Sequence, residues 1–114
     1  MKVDTFFKLS EVFLEECKEI QLEKGKEYTI DDGSNTADKF RNFRSIGERL
    51  DLDPKLVLLT YMLKHMDSIR TYVLYGNEGS EGIKSRCQDL VNYAIMLWAM
   101  DHEEKTFAEL SDDA

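Results

Sequence analysis

Two strips of polar side chains at helical spacing carry the chemistry this sequence offers. Thr60, Lys64, Asp67 and Thr71 recur at steps of three and four, so they project from one flank of a helix; Ser85, Asp89 and Asn92 repeat the pattern later in the chain. Tyr93 and Met96 border the second strip, and an acid beside apolar residues is poorly explained by solvation alone. Two such helices facing each other present carboxylates, amides and cations across one cleft, a common way for helical bundles to build ligand and metal sites. Asp89 in such a cleft must be paired or bind a cation, because a desolvated lone carboxylate costs on the order of several kcal/mol. Its available partners are Lys64 and Arg70, the latter falling within the apolar arc Leu56, Leu59, Leu63, Met66, Ile69 and Val73. A solvated face with an intrahelical Lys64–Asp67 pair is the plainer account of the first strip. His65, next to Lys64 on the polar side, and His102 both read as surface residues, although His65 would contact phosphate if that lysine binds an anion.

Other chemistries lack their residues. No serine, histidine and acid stand at a triad spacing, and Gly76-Asn77-Glu78-Gly79 has neither the lysine nor the spacing of a phosphate-binding glycine loop. Cys17 and Cys87 lie far apart on apolar helix faces, without the neighbours a zinc site needs, and read as buried free thiols. The net charge of −8 over 114 residues argues against duplex nucleic acid as a partner. Residues 1–35 carry −4, residues 36–89 carry +1 and residues 90–114 carry −5, so only the middle segment favours a small anion. No apolar run is long enough to span a membrane and no secretion signal is visible, which gives a cytoplasmic expectation.

The elements that must position these residues are helices. With 42% hydrophobic residues, one proline and six glycines, the chain has the composition of one globular α-rich domain. Val3, Phe6, Phe7, Phe13, Leu14, Cys17 and Ile20 mark a helix over about 3–24, rich in aromatics and suited to a homo-oligomer interface. Gly25 should end it, and residues 25–35 form a polar loop placed to act as a lid. A second helix over 36–50, capped by Asn35 or Thr36, carries Phe40, Phe43, Ile46 and Leu50, with Arg41, Asn42 and Arg44 facing outward or towards the cleft. Asp53-Pro54 starts a third that runs to Tyr75. A fourth over 80–100, capped by Ser80, turns Ile83, Cys87, Leu90, Val91, Ala94, Ile95 and Trp98 to the core. The bundle domain is then 1–100, and 101–114 is an acidic tail or short docked helix anchored by Phe107 and Leu110.

The stretch from Lys64 to Tyr93, with KHMDSI and EGIKSRCQDLVNY, resembles small phage-encoded MazG-like or nucleotide-modification-associated proteins of the all-α nucleoside triphosphate pyrophosphohydrolase group. Asn42-Phe43 and the lysine and glycine loop before it extend the resemblance over about residues 24–100. It implies a MazG-like bundle of four or five helices, oligomeric, holding a Mg²⁺-nucleotide between helices, with Asp89 and Asn92-Tyr93 matching the family's aspartate and tyrosine pair. The group's four-acid motifs are spelled by Glu15-Glu16-Cys17-Lys18-Glu19 and Glu48-Arg49-Leu50-Asp51, but the first lies on an outward face and the second straddles a helix end. In the catalytic version Asp67, Glu81 and Asp89 hold Mg²⁺, Asp67 and Asp89 being the catalytic acids, and a metal-bound water attacks. Asn42, Arg44, Lys64, His65, Arg70, Arg86, Asn92 and Tyr93 would line the ligand site. The alternatives are a non-catalytic phage protein that sequesters a nucleotide or cyclic nucleotide signal or blocks a host defence protein, and a purely structural oligomerising bundle.

Overall fold

A computed structural model of the chain describes residues 1–28 and 38–112. Four helices account for nearly all of them: α1 (Val3–Tyr28), α2 (Arg41–Leu50), α3 (Pro54–Tyr75) and α4 (Gly82–Asp112), with no strand among the described residues. The all-helical expectation therefore holds. The α3–α4 pair packs most extensively, α2 lies on α3, and α1 lies on α4.

Local chemistry sets the ends of α3 where the sequence places them. The Asp53 side chain accepts from the Lys55 amide at 2.8 Å, proline occupies the first turn, and Gly76 closes the helix in the left-handed region with φ 73°. The start of α2 differs from expectation. It begins at Arg41, after a turn in which Asp38 accepts from the Phe40 amide at 3.1 Å; Asn35, Thr36 and most of the expected lid lie outside the described residues. Gly25 does not end α1, which continues to Tyr28. Nor does Ser80 cap α4: the helix starts at Gly82, and the Ile83 amide donates to Glu78 at 3.4 Å.

The expected break near residue 100 is absent, because α4 continues to Asp112 through a stretch with neither glycine nor proline. Ion pairs tie this extension down. Glu103 pairs with Arg44 at 2.8 Å, Glu104 with Lys55 at 2.7 Å, and Asp101 with Lys105 one turn on at 2.8 Å. Phe107 and Leu110, the expected anchors, are exposed instead.

The core centres on Phe40 and Phe43 of the α2 region, Val57 and Leu58 of α3, and Met100 of α4, with Tyr61, Met62, Tyr93, Met96 and Leu97 packed around it. On α3 the inward arc is thus Val57, Leu58, Tyr61, Met62 and His65. The expected arc lies about 120° away, and its members Leu56, Leu59, Leu63, Met66 and Val73 are exposed. Periodicity selects both arcs, and the more aliphatic one is not the one the neighbours cover. The same reversal occurs on α4, where Gln88, Asp89, Asn92 and Met100 are buried while Ile95 and Trp98 are exposed; Leu50 of α2 is also exposed.

The α2–α3 turn depends on a close backbone approach. The Leu52 amide donates to the Gly47 carbonyl at 2.8 Å, and a Cβ on Gly47 would stand 2.5 Å from the Leu52 carbonyl oxygen. That oxygen is backbone and has no rotamer with which to yield. Gly47→Ala should therefore destabilise the protein by about 1–3 kcal/mol, the usual cost of forced overpacking. A thermal melt followed by circular dichroism reads this, and an unchanged melt would show that the approach is not tight.

Candidate functional site

All four helices contribute to a cleft of about 290 Å³. From α1 come Ile20, Gln21 and Lys24; from the α2 region Lys39, Asn42 and Phe43; from α3 Tyr61, Lys64 and His65; and from α4 Asp89, Asn92, Tyr93 and Met96. Tyr61, His65 and Lys64 reach it together because they stand three or four residues apart or adjacent on α3, and Asp89, Asn92, Tyr93 and Met96 follow the same rule on α4.

Asp89 forms the floor and is 6% exposed. Its Oδ1 accepts from Lys24 Nζ at 2.9 Å, while Oδ2 stands 3.7 Å from His65 Nδ1, too far for a hydrogen bond. His65, expected at the surface, is instead buried at 9% exposure, because the arc of α3 that turns inward is the one carrying it, and its Nδ1 has no hydrogen-bond partner. Burial is the main influence on this imidazole and lowers its pKa; Asp89 and Glu81 oppose that effect, and Arg86 and Lys24 add to it. His65 is consequently neutral near pH 7. Asn92 is fixed at both ends of its amide: Gln21 Nε2 donates to Oδ1 at 2.8 Å, and Nδ2 donates to the Cys17 carbonyl at 3.2 Å. Beside it, Glu16 accepts from Gln88 at 2.8 Å and pairs with Lys84 at 2.7 Å; these contacts hold its carboxyl below the usual range. Both cysteines are free, and burial raises the Cys17 thiol pKa, as do the charges of Glu16 and Asp89, which leaves it a poor nucleophile.

The walls are aromatic. Tyr61 lies 5.6 Å from Phe43 and 6.2 Å from Tyr93 between ring centroids, and Tyr93 lies 5.3 Å from His65. The rim is cationic. Lys39 has its pKa lowered by burial alone, and among the described residues no carboxylate pairs with Lys39 or Lys64.

Of the residues singled out in the sequence, Asn42, Lys64, His65, Asp89, Asn92 and Tyr93 line this cleft. The others do not. Arg44 is held by Asp38 and Glu103, and Arg86 pairs with Glu81 at 3.2 Å, leaving its Nε without a partner. Arg70 and Asp67 are exposed on α3, so Arg70 needs no buried counter-ion. The partner of Asp89 is Lys24 rather than Arg70 or Lys64, because α1 crosses α4 at the site and brings its lysine first. Asp67, Glu81 and Asp89 do not converge, and among the described residues no three His, Cys, Asp or Glu side chains are grouped to hold a metal. The described carboxylates therefore do not fit a Mg²⁺ cage. Sequence reasoning missed Gln21, Lys24, Lys39 and Tyr61. Gln21 and Lys24 continue the face of Cys17 and Ile20, and Tyr61 precedes His65 by one turn, so helical spacing held a signal for three of the four.

A buried imidazole with a depressed pKa makes stability depend on pH. The folded protein binds the proton more weakly than the unfolded chain, whose imidazole titrates near 6.5. The contribution is therefore complete above that value and is lost as pH falls from 6.5 through the lowered folded pKa. Glu16, Asp38 and Asp101, whose lowered carboxyl pKa values start from 4.5 and 3.8, titrate below this window. Denaturant midpoints measured from about pH 7 to about pH 5 should fall for the wild type and flatten for His65→Gln; equal slopes would mean that His65 is accessible to protons in the folded state.

No family model, curated protein or solved structure matches the chain, so function is read from the geometry of the cleft.

Proposed function

We propose that the protein binds a nucleotide in this cleft. The observation that carries the reading is one cleft combining three kinds of group: aromatic walls, a fixed polar floor and two lysines, Lys39 and Lys64, with which no carboxylate pairs among the described residues. An aromatic base stacks against the wall that Tyr61 and Tyr93 form together, their rings 6.2 Å apart and in contact with each other, and stacking contributes about 1–3 kcal/mol per base. Asp89 Oδ2 faces a base N–H as an acceptor, and the phosphates meet Lys39 and Lys64 through charge-assisted hydrogen bonds. The cleft lies at the small end of the range for ligand pockets, which suits a base and sugar inside with phosphates at the mouth. The resemblance of residues 24–100 to the MazG-like group points to the same ligand class.

Binding is favoured over metal-assisted hydrolysis. Asp89 is the one carboxylate lining the cleft among the described residues, whereas a two-metal phosphate site needs several converging acids. Sequestration of a nucleotide without turnover is the corresponding role.

Calorimetry against a panel of nucleoside mono-, di- and triphosphates and cyclic dinucleotides, each with and without Mg²⁺, tests the reading. The wild type should bind at least one member. Lys39→Ala and Lys64→Ala should each weaken that binding by about tenfold, as expected for loss of one charge-assisted contact. Asp89→Asn should fold yet bind more weakly. A wild type that binds nothing on the panel would contradict the proposal.

A further inference from the structure

The start of α1 presents apolar side chains that the chain itself leaves uncovered. Phe6, Phe7, Leu9, Val12 and Leu14 are all more than half exposed, and Phe6, Leu9 and Phe13 border a shallow hollow lined by Met1 and this part of α1. These three residues continue, turn by turn, the face that further along carries Cys17, Ile20 and Lys24 against α4. A helical stretch of this length is marginal in water without tertiary packing.

Charge identifies the occupant. The protein carries −8, yet residues 1–8 hold Lys2 and Lys8 against Asp4, a local excess of positive charge. Residues 11–23 hold five glutamates against Lys18. The helix is therefore positive at its start and negative beyond, and it complements itself when reversed. A parallel pair would set Lys2 against Lys2 and align the two helix dipoles. We propose that two copies of the chain pair through the first turns of α1, antiparallel, across a dyad between Leu9 and Ser10. Phe6 of one copy then faces Phe13 of the other, and Lys2 approaches the glutamate-rich turn at Glu15 and Glu16. This pairing is independent of the nucleotide reading, and it anchors the helix that brings Gln21 and Lys24 to the cleft.

Sedimentation velocity at micromolar concentration should find a dimer for the wild type and monomers for Phe6→Glu and Leu9→Glu, with circular dichroism reporting whether each variant retains its helix. Ser10→Cys should form a disulfide-linked dimer on mild oxidation, judged against the wild type with its own two cysteines, while Val3→Cys should not. In the antiparallel pair the two copies of residue 3 stand about 20 Å apart along the helices. A monomeric wild type, or dimers persisting in both folded glutamate variants, would overturn the proposal. Cross-linking of Val3→Cys as readily as Ser10→Cys would overturn the antiparallel arrangement.

Discussion

A carboxylate removed from water at the centre of a small bundle constrains everything around it. Asp89 on α4 is 6% exposed, and a charge in that position persists only if other elements bring it partners. Here α1 supplies Lys24 at 2.9 Å, while the neutral His65 ring of α3 stands 3.7 Å away, beyond hydrogen-bond reach. The polar contacts nearby follow the same logic: Gln21 secures Asn92, and Glu16 secures Gln88, so the α1–α4 interface is largely one of hydrogen-bonded and ionic groups. Buried polar contacts of this kind fix register, since sliding α1 by one turn would separate every pair at once. The cleft is the space these constraints leave between α1 and α3, and its polar floor and aromatic walls result from the same packing.

The apolar core is correspondingly thin. Leu58 and Cys17 are the largest side chains withdrawn almost completely from solvent, and much of the aliphatic content of α1 and α3 faces outward. A chain that places amides and charges at its inter-helix contacts and aliphatic residues on its outer faces distributes its stability differently from a self-sufficient monomer. The ion pairs that Glu103 and Glu104 make with Arg44 and Lys55 hold the end of α4 against α2 and α3 without adding to the core.

How far this was legible in the sequence depends on the kind of signal. Asp53-Pro54 and Gly76 mark the ends of α3 because cap chemistry is local and survives any tertiary arrangement. The polar cluster Lys64, His65, Asp89, Asn92 and Tyr93 was legible because helical spacing places each set on a common face. Which face turns inward was not legible. On α3 and α4 two arcs satisfy helical periodicity, and the choice is made by what α1 and α2 cover, a long-range fact that no window of the sequence contains. Lys24 escaped for the same reason: its role depends on α1 crossing α4 at Asp89. The sequence left residues beyond 100 open between a tail and a short docked helix, because the cations that hold them as a continuation of α4, Arg44 and Lys55, are distant in sequence.

The account turns on Lys24 and Asp89 being energetically coupled across α1 and α4. A double-mutant cycle of Lys24→Met and Asp89→Asn, read by denaturant unfolding, measures that coupling directly. The single substitutions should each destabilise the protein, and the double variant should be more stable than their sum predicts, with a coupling of about 1 kcal/mol or more. Additive effects, with no coupling beyond error, would contradict the claim that this contact organises the cleft.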